Sequence, residues 1–258
     1  MATIIALTNQ KGGVGKTTSS SALAAGLFSF YNKKVLAIDL DPQGSMGFSL
    51  GLDIENCSTI YDVLKGQVSI KDAIQDTDYC DIITSNILLS SAELEFTSSD
   101  RDILLKRALL PVIAEYDYII IDTPPALNVL TVNAYAASDH LIIPMAPEIL
   151  SLLGVSQLKD TIDSVRQSVN PNLNVLGILL TKYNPRTLLA REVKEMAENI
   201  ASQIGACVFN AQIRTSVAVA EAPAHGLSIF DHAPHAKPSI DYQEFIREVV
   251  DMTSSETI

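Results

Sequence analysis

The sequence predicts a doubly wound α/β fold, a mostly parallel sheet with helices on both faces. Three observations lead there. Short β-branched or apolar runs alternate along the chain with longer segments of helical period. The runs are continuously apolar, as strands covered on both faces are, and a parallel sheet with crossover helices is the arrangement that covers both. The first run passes through a glycine-rich loop, Gly12 to Gly15, into a long helical segment, and carboxylates end two later runs at Asp39 and Asp122. Ligands of open α/β sheets bind outside the carboxyl ends of the strands, so loop and acids are expected at one edge.

Taken in order, the expected strands are Thr3–Leu7 (TIIAL), Lys34–Asp39 (KVLAID), Cys80–Thr84 (CDIIT), Tyr116–Asp122 (YDYIIID), His140–Pro144 (HLIIP), Asn174–Thr181 (NVLGILLT) and Ala206–Phe209 (ACVF). Between them, helical spacing predicts Lys16–Tyr31, Ser99–Glu115, Leu150–Ser168 and Leu188–Ile204. The more polar stretch Ile54–Asp78, with short helix candidates in STIYDVLKG and SIKDAIQ, is expected as an excursion at the sheet edge. Near the C-terminus Tyr242, Phe245, Ile246, Val249 and Val250 share one helix face. The opposite face carries Asp241, Glu244, Glu248 and Asp251, whereas a helix lying on anionic lipid needs a basic face, so this one is expected to dock on the core. No repeat or Pro/Ser-rich linker marks a boundary, and one domain over residues 1–258 is expected.

Composition narrows the function. A chain of 258 residues with 47% hydrophobic content can bury a substantial core. A formal charge of −12 argues against a surface that grips nucleic acid by positive charge alone, so any DNA contact must be local. The three cysteines, Cys57, Cys80 and Cys207, have no C-x-x-C spacing, which suggests neither a zinc nor an iron-sulfur site and fits reduced thiols in a cytoplasmic protein. The start, MATIIALTNQ, carries no basic leader, and no run approaches the roughly 20 apolar residues of a membrane span, so no membrane association is expected.

The stretch NQKGGVGKTT, Asn9 to Thr18, ends as a phosphate-binding P-loop does, in Gly15-Lys16-Thr17, but Gln10 stands where the usual pattern has its first glycine. Gly12, Gly13 and Gly15 allow positive φ and close approach of the backbone to an anion, which the amides opening the Lys16 helix would face. Lys16 is expected against the β- and γ-phosphates, Thr17 on Mg²⁺, and Thr18 near the α-phosphate. Asp122, after four apolar residues, has the position of an acid that holds Mg²⁺ directly or through water. Asp41 is the better candidate to orient the attacking water, because Pro42 and Gly44 suggest a switch loop. Asp39 either bonds the P-loop or takes a catalytic part. The additional lysine, Lys11, is explained by none of this: a contact within its own site and plain solvation are both open.

KGGVGKTT, DLDPQGS, IIIDTPP, LLTKYNPRT and VAEAP, in this order and spacing, resemble the ParA family of partition ATPases, which share a deviant Walker A motif with MinD and the nitrogenase iron protein. The resemblance spans roughly Thr3 to Val250. It implies a P-loop NTPase that binds ATP and Mg²⁺ through Lys11, Gly12, Gly13, Val14, Gly15, Lys16, Thr17 and Thr18. It further implies an ATP-dependent homodimer in which Lys11 touches the nucleotide of the other subunit. Facing triphosphates of about four negative charges each need extra cations at their seam, which makes that role physically sensible. By the same resemblance Lys182 helps to frame the adenine, Glu148 lies beside the dimer face, and a ParB-type adaptor stimulates slow hydrolysis on a nucleoid-associated protein in the cytoplasm. Related switches of the MinD type, and small-molecule synthetases of the superfamily, are the alternatives.

The chain departs from the family where nonspecific DNA binding is expected. Family members commonly place an arginine where this chain has Ala218 and a lysine where it has Leu227. Arg214 lies one position from another family arginine, whose place Thr215 takes, and Arg186, Arg191 and Lys194 are the candidates for a compensating patch.

Overall fold

The computed structural model describes residues 1–52 and 57–254. Eight strands form one sheet: β1 (Thr3–Leu7), β2 (Val35–Asp39), β3 (Gln75–Asp76), β4 (Asp81–Ile83), β5 (Tyr118–Asp122), β6 (His140–Met145), β7 (Asn174–Tyr183) and β8 (Cys207–Arg214). Their order across the sheet is β3-β4-β2-β5-β1-β6-β7-β8, and only β3 runs antiparallel to its neighbour. The doubly wound, mostly parallel sheet is therefore observed. All residues of β2, β5 and β6 are buried, the pattern of strands covered on both faces. Two apolar layers provide the cover. One packs Ile4, Ile119, Ile143 and Ile178 against helices Val129–Ala137 and Leu188–Ile204; the other packs Ile5, Ile120 and Leu179 against helices Lys16–Tyr31 and Lys237–Ser254.

The parallel register brings the functional edge together. Leu7 pairs with Asp122 and Asp122 with Asp39, so the ends of β1, β5 and β2 stand side by side. The excursion after β2 does lie at the sheet edge, as helices Ile60–Leu64 and Ile70–Ala73 followed by β3; its residues 54–56 are outside the described ones, as are residues 255–258 of the C-terminal segment. The C-terminal helix docks as expected, burying Tyr242, Phe245, Ile246 and Val249.

Two elements differ from expectation. The helix expected over Ser99–Glu115 is a 3₁₀ turn, Arg101–Ile103, and a short α-helix, Leu104–Leu109. Pro111 explains its end, since proline has no N–H to give to the carbonyl of Arg107, although Leu110 before it still has helical angles (φ −51°, ψ −41°). In the other direction β8 continues to Arg214, past the expected end at Phe209. Phe209, Ala211 and Ile213 are buried while Asn210 is exposed and Gln212 and Arg214 are half-buried, the alternation of an edge strand with one covered face. The C-terminal helix guards that edge: the Glu248 carboxylate accepts the amides of Asn210 (2.9 Å) and Ala211 (2.7 Å), and Asp241 accepts that of Arg214 (2.9 Å).

Close packing of β7 on β8 depends on one glycine. A Cβ on Gly177 would lie 2.7 Å from the ring of Phe209, which is itself set edge-on against Phe245 at 5.1 Å. Gly177→Ala is expected to destabilise the protein by about 1–3 kcal/mol, the usual result of overpacking a buried ring. Urea unfolding checks this; an unchanged midpoint would show that the ring can yield.

Candidate nucleotide-binding site

The loop between β1 and the Lys16–Tyr31 helix takes its shape from two glycines, its own Asn9 and two distant side chains, Thr181 and Tyr242. Gly13 (φ 75°) and Gly15 (φ 85°) are left-handed, and Gly15 is the residue from which the helix starts. Asn9, buried, accepts the amide of Lys11 at 3.0 Å and donates to the carbonyl of Pro144 at 2.8 Å, tying the loop to β6. Thr181, at the far end of β7, donates to the carbonyl of Val14 at 2.7 Å and packs its methyl under Gly15. The helix is held from its other side by Tyr242, whose hydroxyl lies 3.1 Å from that of Ser19. The outcome is a loop whose exposed rim, Gly12 and Gly13, is backbone alone. Free amides at a helix N-terminus suit phosphate.

Beneath the loop lie Lys16 and the acids. The Lys16 side chain reaches the carbonyl of Lys11 at 3.3 Å, and the residue is only 6% exposed. Burial lowers its pKa, while the charges of Asp122 and Asp41 draw it back up. Asp122 is fully buried and accepts from Thr17 (2.5 Å) and Ser20 (3.1 Å). Burial pushes its carboxyl up to about 7, against the hydrogen bond of Thr17 and the charge of Lys16. A hydroxyl beside a carboxylate is an oxygen donor pair of the kind Mg²⁺ takes, with its remaining positions left to phosphate and water. The helix after β5 is capped by Asn128, whose side chain accepts from Leu130 and Thr131, so Asp122 is not spent on capping it.

Asp39 does not bond the P-loop. Its two carboxylate oxygens accept the amides of Asp41 and Met46, each at 2.9 Å, and thereby hold the loop that follows β2. Burial, then the neighbouring Asp122, raise its pKa well above the ordinary range. Asp41 itself is half-buried on the wall of a cleft of about 420 Å³ that it shares with Gly12, Lys16, Thr17 and Thr18. Lys182, Arg214–Ser216, Val219 and Ala220 also line it. Lys182, near the end of β7, is exposed and left-handed (φ 50°).

Lys11 stands at the rim and forms an ion pair with Glu148, the residue that precedes the Ile149–Ser168 helix. The hydrogen bond and then the charge of Lys11 lower the pKa of Glu148. The expected DNA contacts are dispersed. Arg214 is held by Asp241 (Nε to both carboxylate oxygens, 2.9 and 3.0 Å), while Arg186 and Arg191 are exposed and Lys194 half-buried on a helix that also carries Glu192, Glu195 and Glu198. Asn9, Ser20, Thr181 and Tyr242, which shape the site, are residue types that turns and cores use everywhere; only their long-range contacts mark them.

Comparison with known proteins gives the family. Residues 2–175 match the AAA domain family. The chain is 40% identical over 255 residues to the sporulation initiation inhibitor protein Soj of Bacillus subtilis, covering 96% of this chain and 98% of that one. It is 39% identical over 251 residues to the chromosome partitioning protein ParA of Myxococcus xanthus, covering 96% and 87%. Among solved structures, cobyrinic acid a,c-diamide synthase from Mycobacterium smegmatis with bound ADP and magnesium superposes with a TM-score of 0.85 at 34% identity, over 99% of this chain and 97% of that one. With its parallel sheet, its two-lysine glycine loop and near full-length kinship to Soj and ParA, the chain belongs to the ParA family of P-loop ATPases.

Proposed function

We propose that this chain is a partition ATPase: it binds ATP and Mg²⁺ at the glycine loop, pairs with a second copy in the ATP state, and separates after hydrolysis stimulated by a ParB-type adaptor. The observation that carries this reading is the placement of two lysines on one loop, Lys16 buried among acids and Lys11 at the open rim, in a chain 38–39% identical to proteins named for chromosome partitioning.

The chemistry follows from the arrangement. The loop amides and Lys16 hold the phosphates, and the cleft wall from Lys182 to Ala220 takes the base. Thr17 and Asp122 would hold Mg²⁺, which when bound neutralises charge on the β- and γ-phosphates. Asp41 orients a water for in-line attack on the γ-phosphorus, with ADP and phosphate as products. Lys16, and Lys11 of the second copy, stabilise charge on the transferred group. In the single chain Lys11 is already neutralised by Glu148, so pairing exchanges one carboxylate for another molecule's phosphates. With Ala218 and Leu227 at the expected cationic positions and Arg214 bound to Asp241, direct DNA binding is left to Arg186, Arg191 and Lys194, and the adaptor is the more important tether.

A second reading has a specific observation behind it: the solved structure with 34% identity over almost the whole chain is named a synthase. Steady ATP turnover that requires an added small carboxylic acid, with no association of the chain, would favour that reading.

Light scattering after size exclusion tests the proposal. Asp41→Ala, which blocks turnover, should run as a dimer with ATP and Mg²⁺ and as a monomer with ADP; a monomer in both would contradict the switch. A second outcome is expected from the rim. Glu148→Gln removes the competitor for Lys11, and an exposed pair of this kind is worth enough to strengthen ATP-dependent association about two- to fivefold. Weaker association, measured by sedimentation in the Asp41→Ala background, would mean that Glu148 serves the joined state instead.

A further inference from the structure

We propose that Ser85 is a positioning residue for the hydrolytic step, acting through the main chain of Asp41. Ser85 lies just beyond the end of β4, in the strand position next to β2, and is 3% exposed. Its hydroxyl donates to the carbonyl of Asp41 across a separation of 44 residues. The same carbonyl also accepts the amide of Gly44 at 2.9 Å. On the other side of the residue, the amide of Asp41 is held by Asp39. Asp41 is thus held at its N–H by Asp39 and at its C=O by Ser85 and Gly44, while one carboxylate oxygen accepts the amide of Gln43 at 3.0 Å, so the backbone of the loop sets where the carboxylate stands beside the cleft.

Ser85 makes a second contact with the loop. Gly44 is left-handed (φ 64°), and a Cβ there would lie 3.1 Å from the carbonyl oxygen of Ser85. The loop therefore passes against Ser85 with its backbone, and a side chain at Gly44 would push it off. Two elements grip the loop after β2, then: Asp39 from the strand it leaves, and Ser85 from the strand alongside. Of the two, Ser85 is neutral, so replacing it leaves the charges of the site as they are. A general base or water-orienting group must be held within a fraction of an ångström of its working place, and displacement of its backbone costs rate without costing affinity.

The proposal rests on the reading of Asp41 as the residue that places the water, and the experiment separates the two. Single-turnover ATP hydrolysis and ATP affinity, the latter with a fluorescent analogue, are measured for wild type, Ser85→Ala, Ser85→Thr and Asp41→Ala. Loss of one neutral hydrogen bond that positions the group is expected to slow Ser85→Ala about three- to tenfold. Its ATP affinity should stay within about twofold of wild type, since no phosphate contact is removed. Ser85→Thr, which keeps the hydroxyl, should hydrolyse at the wild-type rate. A Ser85→Ala rate equal to wild type, a rate loss matched by an equal loss of affinity, or a threonine variant as slow as the alanine one overturns the proposal. If Asp41→Ala is inactive while Ser85→Ala is unimpaired, the positioning role alone falls. If Asp41→Ala hydrolyses normally, the reading of Asp41 falls and Ser85 with it.

Discussion

A triphosphate carries about four negative charges, and the crevice that receives it already holds three carboxylates, so the placement of positive charge governs this site. Asp39, Asp41 and Asp122 lie at or beside the ends of β2 and β5, while Lys16 is, among the described residues, the one buried cation of the site. Burial works against three of them, lowering the pKa of Lys16 and raising those of Asp39 and Asp122. Such a cluster is tolerable only where its members offset one another or where a cation and donor groups complete it. Thr17 and Ser20 on Asp122, and the amides of Asp41 and Met46 on Asp39, do part of that work. Mg²⁺ on Thr17 and Asp122 would do the rest.

The sheet makes this concentration of charge possible by holding the loops rigidly. The glycine loop is bound to β6 through Asn9 and to β7 through Thr181, and its helix is pinned by Tyr242 from the C-terminal helix. The loop after β2 is gripped by Asp39 and Ser85. No single segment could supply those anchors, since the partners are separated by up to 223 residues and meet only because parallel strands put their carboxyl ends on one edge. The side chain of Lys11 stands outside this rigid set, although its backbone is held by Asn9 and Lys16. It is half-buried at the rim, where among the described residues it is ion-paired with Glu148, and so is a cation that can change partners.

Much of this was legible in the sequence, for reasons particular to each residue. Lys16, Thr17 and the glycines are close in sequence and have the spacing that a strand, loop and helix impose. Asp39 and Asp122 follow apolar runs long enough to identify as buried strands. Residues whose contacts are remote were not legible: Ser85 and Thr181 are ordinary hydroxyl residues until the fold sets them against Asp41 and Val14. The second half of β8 was missed because its polar residues alternate, which a search for continuous apolar runs reads as an end. Pro111 was the overlooked signal in the segment expected as one long helix. Arg214 is a cation by sequence and a structural ion pair in the fold, because Asp241, on the C-terminal helix, lies against it.

What joins the charge argument to the function is the proposition that Lys11 gives up Glu148 for the phosphates of a second copy. Sedimentation equilibrium of ATP-loaded Asp41→Ala, with and without the further change Lys11→Ala, measures this most directly. The account predicts that the double variant still binds ATP but stays monomeric at concentrations where Asp41→Ala alone is dimeric. Equal association of the two proteins would contradict it, since the lysine at the rim would then have no part in joining the copies.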